Sequence, residues 1–172
     1  MSDLGCVSCR KAKTNFVCEI CEGDVCKSCV QVLDAKSFSF LEKIPADLAH
    51  RNYCGACYDE KVTPELESYS EIMERAEKIF VFFKTQKKEI PLIKKSKEKY
   101  TVVDQFDRDE TIMRLAFFAA QSKFNAIIEV DVFSSKLRNG AYQTSRWQGT
   151  GIGADIDGKR QDLQDAQNAV YR

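Results

Sequence analysis

The sequence has no net charge, no long apolar run and no recognisable signal peptide. Its 26 basic side chains balance 26 acidic ones, so no chain-wide attraction to nucleic acid or to an anionic membrane is expected. No apolar run approaches the roughly 18 residues of a transmembrane helix. No basic segment followed by an apolar one opens the sequence, so no signal peptide is expected. We therefore predict a cytoplasmic protein, in a reducing compartment where stable disulfides are uncommon.

Nucleophilic and metal-ligating side chains are scarce outside the first third. His50 is the only histidine, and none of the eight cysteines lies beyond Cys57. The second half therefore offers no Cys–His or Ser–His arrangement, and we predict that the protein is not an enzyme, with no catalytic residues. His50 lies close enough to Cys54 in sequence to replace a thiolate, but an ordinary surface or packing role is the simpler interpretation.

The cysteines are present as four Cys-x-x-Cys pairs: Cys6 and Cys9, Cys18 and Cys21, Cys26 and Cys29, Cys54 and Cys57. Such a pair turns two thiolates toward one ion, and two pairs complete a tetrahedral site. Four pairs therefore predict two structural zinc ions, which would hold together a segment with little core of its own. A disulfide framework, a thioredoxin-like redox pair and an open catalytic zinc site are the less favoured alternatives. Spacing alone leaves open which pairs share a metal.

The cysteine frame resembles that of the FYVE zinc-finger family and its cross-brace relatives. The likeness rests on the tight centre Cys18–Cys29, the stretch Phe38–Pro45 and the ending Tyr53–Tyr58. It implies interleaved sites. One zinc would be held by Cys6, Cys9, Cys26 and Cys29, and the other by Cys18, Cys21, Cys54 and Cys57.

The lipid specificity of that family is not expected here. FYVE fingers recognise phosphatidylinositol 3-phosphate with a dense Arg/His run at the third cysteine, where this chain has the apolar and acidic Thr14–Glu19. Arg51 lies one place too early for the family's last arginine. Residues 1–62 carry eight basic and nine acidic side chains before the thiolates are counted. We therefore predict that phosphoinositide binding is unlikely.

The sequence pattern from residue 64 onward predicts alternating helices and strands. A helix is expected over 64–77 and strands over 78–83 and 100–103, separated by a segment over 84–99 with seven lysines and two glutamates. That segment is interpreted as a solvated loop and strand edge, and no nucleic-acid binding is predicted. A second helix opens at Asp107 with an apolar surface wide enough for burial on two sides.

A hairpin follows that helix. The strand from Ala126 turns at Asn139-Gly140, a type I′ signal, and the return strand runs into Gly149–Gly153. No helix is expected after these glycines, so they predict a bulged or closely packed edge strand rather than a nucleotide-binding loop.

Residues 78–158 resemble the bacterial YbjQ-type family, once called heavy-metal-binding domains. The likeness rests on Phe124–Ile128, the hairpin, Tyr142 and Trp147–Gly151. It implies an α+β domain with an antiparallel sheet packed on one main helix, often assembled into a homo-oligomer. This segment has no Cys or His, so no metal role is expected in it.

The predicted layout is a two-zinc finger at 1–62, a linker helix at 63–77, an α+β domain at 78–158 and a polar tail at 159–172. We expect a non-enzymatic scaffold whose finger presents a surface to an unidentified protein partner and whose second domain self-assembles. A phospholipid- or membrane-associated regulator is the alternative, using a degenerate finger or the lysine-rich segment.

Overall fold

The computed structural model describes residues 5–162 and 165. The chain divides into two compact units, Met1–Glu71 and Ile72–Arg172. Most of the predicted tail at 159–172 lies outside the described residues, and its residues 159–162 and 165 are helical. Among the described residues, no helix is both long and apolar enough to cross a membrane.

The first unit is built from very short strands. Two antiparallel hairpin-like pairs form, β1 with β2 and β3 with β4. Their bounds are Phe16–Val17 for β1, Asp24–Val25 for β2, Gln31–Val32 for β3 and Asn52–Tyr53 for β4. Two-residue strands cannot support a fold alone, so this unit depends on other interactions.

A continuous helical segment follows β4. Helix α1 (Gly55–Cys57) passes through a π-helical stretch (Tyr58–Val62) into helix α2 (Thr63–Glu77). Leu66 and Tyr69, early in α2, pack against an apolar cluster of the first unit. The buried members of this cluster are Leu33, Phe38, Leu48, Tyr53 and Val62. The division between the two units thus falls within the helix predicted as a linker.

The second unit is a four-stranded sheet with one helix packed on it. Its elements are β5 (Phe80–Phe83), β6 (Leu92–Gln105), α3 (Arg108–Gln121), β7 (Ala126–Asn139) and β8 (Tyr142–Ile156). The strand order is β5-β7-β8-β6. The α+β class is confirmed, but the sheet is mixed, because β5 pairs with β7 in parallel.

Helix α3 packs on the sheet, and six of its fourteen residues are buried. Asp107 caps it, its side chain accepting a hydrogen bond from the N–H of Glu110 at 3.0 Å. The buried residues of α3 are Thr111, Leu115, Ala116, Phe117, Ala119 and Ala120. The helix ends where Lys123 adopts a left-handed φ of 64° and the N–H of Phe124 bonds to the carbonyl of Ala119 at 2.9 Å, a Schellman ending.

The glycine-rich stretch lies on β8, which is a central strand and not the predicted edge strand. A Cβ added to Gly153 would lie 2.5 Å from the Phe124 ring, and one added to Gly151 would lie 2.7 Å from Ile127. A Cβ at Gly149 would meet Thr111 of α3 at 3.0 Å. The glycines therefore allow close packing within a strand and do not form a loop at a helix N-terminus. A helical turn that the sequence analysis did not expect begins at Gly158, after β8 has ended.

Two local predictions were wrong in detail. The hairpin turn consists of Gly140 and Ala141, because Asn139 pairs with Tyr142 as the last strand position. Gly140 has a φ of 62° and Asn139 is not left-handed, which fits a type II′ turn rather than type I′. Strand β6 starts at Leu92, well before the predicted Tyr100, since pairing with β8 outweighs the weak strand propensity of lysine.

We expect Gly153→Ala to destabilise the second unit by about 1–3 kcal/mol, because the new methyl group would overlap the rigid Phe124 ring. Urea unfolding monitored by the fluorescence of Trp147, the only tryptophan, measures the effect. Gly158→Ala is the matched control, since its Cβ would find ordinary contact at 3.6 Å. Equal stability of the two variants would contradict the packing role of Gly153.

Candidate metal centres

The eight cysteines converge into two groups of four. One group joins Cys6, Cys9, Cys26 and Cys29, and the other joins Cys18, Cys21, Cys54 and Cys57. Within each group all sulfur atoms lie within 4.8 Å of one another. The structure thus joins the first pair with the third and the second pair with the fourth, which is the interleaved arrangement. All eight cysteines lie within the described residues, and all are free thiols.

Backbone hydrogen bonds explain why these pairs meet. The N–H of Val7, next to Cys6, donates to the carbonyl of Asp24 at 2.9 Å, just before Cys26. The N–H of Glu19, next to Cys18, donates to the carbonyl of Asn52 at 3.0 Å, just before Cys54. Each bond lies one or two residues from a cysteine on both sides, so these two backbone contacts bring together the cysteine pairs that share a site.

Each of the first two pairs closes into a tight turn that ends on a left-handed residue. Arg10 follows Cys9 with a φ of 61°, and Glu22 follows Cys21 with a φ of 56°. Non-glycine residues rarely adopt this conformation. The sequence analysis did not predict these positions, because glycine would have been the recognisable signal and neither residue is one.

The backbone amides of these turns point at sulfur. The pKa of Cys6 is lowered from 9.0 to about 6, chiefly because backbone N–H groups of Cys26, Cys9 and Ser8 donate hydrogen bonds to its sulfur. For Cys18, burial raises the pKa, but hydrogen bonds from the backbone at Cys21, Cys54 and Ile20 outweigh it and lower the pKa to about 6. Each group therefore contains at least one buried thiol that ionises more readily than an ordinary thiol.

The thiols of Cys29 and Cys57 ionise less readily than an ordinary thiol does. Contact with the thiols of Cys9 and Cys26 raises the pKa of Cys29 to about 12. Burial and contact with Cys54 raise the pKa of Cys57. Four sulfurs this close cannot all carry negative charge unless a cation compensates them.

The donor set fits a four-coordinate soft cation. Among the described residues, no His, Asp or Glu joins either group. A Zn–S distance of about 2.3 Å in a tetrahedron corresponds to sulfur–sulfur distances of about 3.8 Å. The sulfurs of Cys9 and Cys26 lie 3.6 Å apart, and those of Cys21 and Cys54 lie 3.8 Å apart. Each group can therefore hold one metal ion, and the geometry is compatible with two zinc sites.

His50 lies outside both groups. Its Nδ1 is 3.3 Å from a carboxylate oxygen of Glu19, and that carboxylate also accepts from the backbone N–H of Asn52 at 3.2 Å. Burial raises the pKa of Glu19, but these hydrogen bonds and His50 lower it below its ordinary value. His50 thus helps to tie the second cysteine pair to β4, in a structural role.

Comparisons with protein families, with curated proteins and with solved structures found no match to this chain. The geometry of the two cysteine groups is therefore the principal guide to function.

The pairing of the cysteines predicts the metal content of double variants. Cys9→Ser/Cys29→Ser removes two ligands from one group and should leave one tightly bound metal ion per chain. Cys9→Ser/Cys21→Ser removes one ligand from each group and should weaken both sites. Elemental analysis after dialysis against a weak chelator measures the difference. The reverse order of metal content would indicate that sequential pairs share a metal.

Metal retention should depend on pH with a defined sign. A thiol whose folded pKa is lowered stabilises the fold above its ordinary pKa and loses that contribution as the pH falls through the lowered value. For Cys6 and Cys18 this interval runs from 9.0 down to about 6, and a bound cation extends it lower. We expect the charge-transfer absorption of the cobalt-substituted protein to persist at neutral pH and to be lost only when the pH falls below about 6. Loss of absorption on raising the pH from neutral to weakly alkaline would contradict this sign.

Proposed function

We propose that the protein is a non-enzymatic zinc-binding scaffold, in which the finger presents a protein-binding surface and the second unit mediates self-assembly. The observation that supports it best is the closure of both cysteine groups. Each contains four thiols, which is the full ligand set of a structural zinc site, whereas catalytic sites keep an open position.

In this proposal the residues of the finger hold their shape around the metal. Zinc, when bound, would supply positive charge that neutralises thiolates and crosslinks distant parts of the chain. Cys54 caps helix α1, its sulfur accepting a hydrogen bond from the N–H of Cys57 at 3.4 Å. The second group therefore fixes the start of the helical segment that contains α2. Free thiols of this kind favour a reducing, cytoplasmic location.

The finger is proposed to be FYVE-like in its cross-brace, because its first and third pairs and its second and fourth pairs meet. The four residues directly before the third cysteine, 14–17, carry no charged side chain, so phosphoinositide binding is not part of the proposal. The second unit is proposed to be similar to the YbjQ-type family, because its helix–strand junction and its hairpin carry the residues on which that resemblance rests.

Self-assembly is proposed to involve the end of the β7–β8 hairpin. The last β6–β8 pair is Gln105 with Trp147, and the last β5–β7 pair is Phe83 with Val130. Beyond those points the two strands pair with each other as a ribbon. An isolated two-stranded ribbon is marginally stable in water, so packing against another subunit would stabilise this one.

One face of the ribbon is suitable for such a contact. The β7–β8 register pairs Leu137 with Thr144 and Asn139 with Tyr142, and residues two apart on a strand share a face. Phe133, Leu137 and Tyr142 therefore lie on the same face, with exposed fractions of 50%, 50% and 80%. Apolar side chains grouped in this way are typical of an interface between subunits.

Light scattering coupled to size-exclusion chromatography tests the assembly. We expect the wild-type chain to be oligomeric and Leu137→Ser/Tyr142→Ser to have a smaller mass with unchanged metal content. Arg138→Ser, on the opposite face of the same ribbon, is the matched control and should assemble normally. A monomeric wild-type chain would refute this half of the proposal.

Membrane association is a second candidate, favoured by the charge distribution. Residues 1–77 carry 9 basic and 14 acidic side chains, whereas residues 78–172 carry 17 basic and 12 acidic ones. Lys94, Lys97 and Lys99 are exposed on the free edge strand β6, beside Ile93 with an exposed fraction of 72%. Salt-sensitive sedimentation with anionic vesicles that Lys94→Gln/Lys97→Gln/Lys99→Gln abolishes would support it.

The protein-binding role of the finger is tested with the full chain. Proteins retained by the zinc-loaded chain should be lost after chelation and with Cys9→Ser/Cys21→Ser, because metal loss unfolds the finger. Arg138→Ser, which changes neither group, should retain them. If the same proteins were retained with and without metal, the finger would not be the binding element.

A further inference from the structure

A cavity in the first unit lies beside an open strand edge. Its volume is about 650 Å³, within the range of pockets that bury a ligand of several side chains. The floor is formed by Leu33, Phe38 and Leu48, which are buried. The rim includes Val32 and Ile44, with exposed fractions of 55% and 39%. This groove therefore combines a preformed apolar floor with apolar side chains in contact with solvent.

The main chain of Val32 faces the open edge of β3. In an antiparallel pair, hydrogen-bonded and non-hydrogen-bonded positions alternate. Leu33 donates its N–H to the carbonyl of Arg51 at 3.1 Å, so the adjacent pair of Val32 with Asn52 is non-hydrogen-bonded. The hydrogen bonds of Asn52 agree with this assignment. Its N–H donates to the carboxylate of Glu19 and its carbonyl accepts from the N–H of Glu19, so both groups point away from β3. The N–H and carbonyl of Val32 therefore point away from β4, where no described strand pairs with β3.

One basic side chain at the rim of the groove has no ion-pair partner among the described residues. Three charged or titratable residues line the groove: Asp34, His50 and Arg51. Asp34 accepts a hydrogen bond from the N–H of Lys36 at 2.9 Å, and His50 pairs with Glu19. The guanidinium of Arg51 is exposed and forms no ion pair with any residue that the structure describes. A ligand that carries a carboxylate would complement it.

We propose that this groove binds an extended peptide segment of a partner protein. The segment adds a strand to β3 through the N–H and carbonyl of Val32, inserts an apolar side chain over Leu33, Phe38 and Leu48, and places an acidic side chain on Arg51. Strand addition gives affinity through the main chain, and the cavity and Arg51 give specificity. This inference rests on the proposed function, since it identifies the surface by which the finger recognises its partner.

Selection from a display library of random peptides on the zinc-loaded full chain tests the proposal. We expect the enriched peptides to share an apolar residue next to an acidic one. Synthetic versions should bind Val32→Pro at least about tenfold more weakly than Val32→Ala, because proline removes the outward N–H, which takes part in no β3–β4 hydrogen bond. Arg51→Glu should weaken binding by a similar factor, whereas Lys13→Glu, exposed in the same unit outside the groove, should not.

Metal content of every variant shows whether the finger is folded. If no peptide is enriched, or if the enriched peptides bind Val32→Pro and Arg51→Glu as tightly as the wild type, the groove inference is overturned. Val32→Pro and Arg51→Glu, used in the full-chain retention experiment, separate this failure from failure of the proposed function. Partners that both variants retain but chelation removes would leave the finger as the binding element and exclude the groove.

Discussion

The central constraint on the first unit is electrostatic, because each group brings four sulfur atoms so close together that they cannot all ionise without a cation. Two unit charges about 4 Å apart repel by about 4 kcal/mol at the effective dielectric of a protein surface, and each group places four thiols within 4.8 Å of one another. Backbone amides lower the pKa of Cys6 and Cys18, whereas neighbouring thiols raise the pKa of Cys29 and burial raises that of Cys57. A divalent cation would remove this conflict, and its binding would then be coupled to the folding of the first unit.

The second unit is stabilised in a different way. Its core is apolar, with Leu115, Ala119, Ile127 and Val130 at the helix–sheet contact. The glycines of β8 let the residues that end α3 lie directly on a central strand. Asn125 fixes this corner, since its amide accepts from the N–H of Ile156 and donates to the carbonyl of the same residue, both at 2.9 Å. We therefore expect chelation to unfold the first unit and loss of close packing to unfold the second.

Much of the metal site was predictable because cysteine spacing is a strong local signal. Four Cys-x-x-Cys pairs limit the chemistry before any fold is known. The pairing was not determined by spacing, since it depends on hydrogen bonds from Val7 to Asp24 and from Glu19 to Asn52, which join residues far apart in sequence. The left-handed Arg10 and Glu22 were missed for a related reason, because their conformation is imposed by the turn and not by their own preference.

In the second unit, sequence patterns predicted the helices and strands better than they predicted which strands pair in the sheet. The helix from Asp107 and the hairpin were predicted, because amphipathic periodicity and turn residues act locally. The parallel pairing of β5 with β7 and the central position of β8 depend on which strands meet across the sheet. The one-residue shift of the turn to Gly140–Ala141 follows from the strand register, which outweighed the local Asn-Gly signal. The groove beside Val32 was not predicted, because it is formed by three separate segments of the first unit.

The coordination of the metal is the most direct test of this account. X-ray absorption spectroscopy of the zinc-loaded chain reports the ligand atoms around the metal without any variant. We expect four sulfur atoms at about 2.3 Å and no nitrogen or oxygen in the first coordination sphere. Fewer than four sulfur ligands, with a nitrogen or oxygen atom as the remaining ligand, would contradict closed structural sites and would favour a catalytic role for the metal.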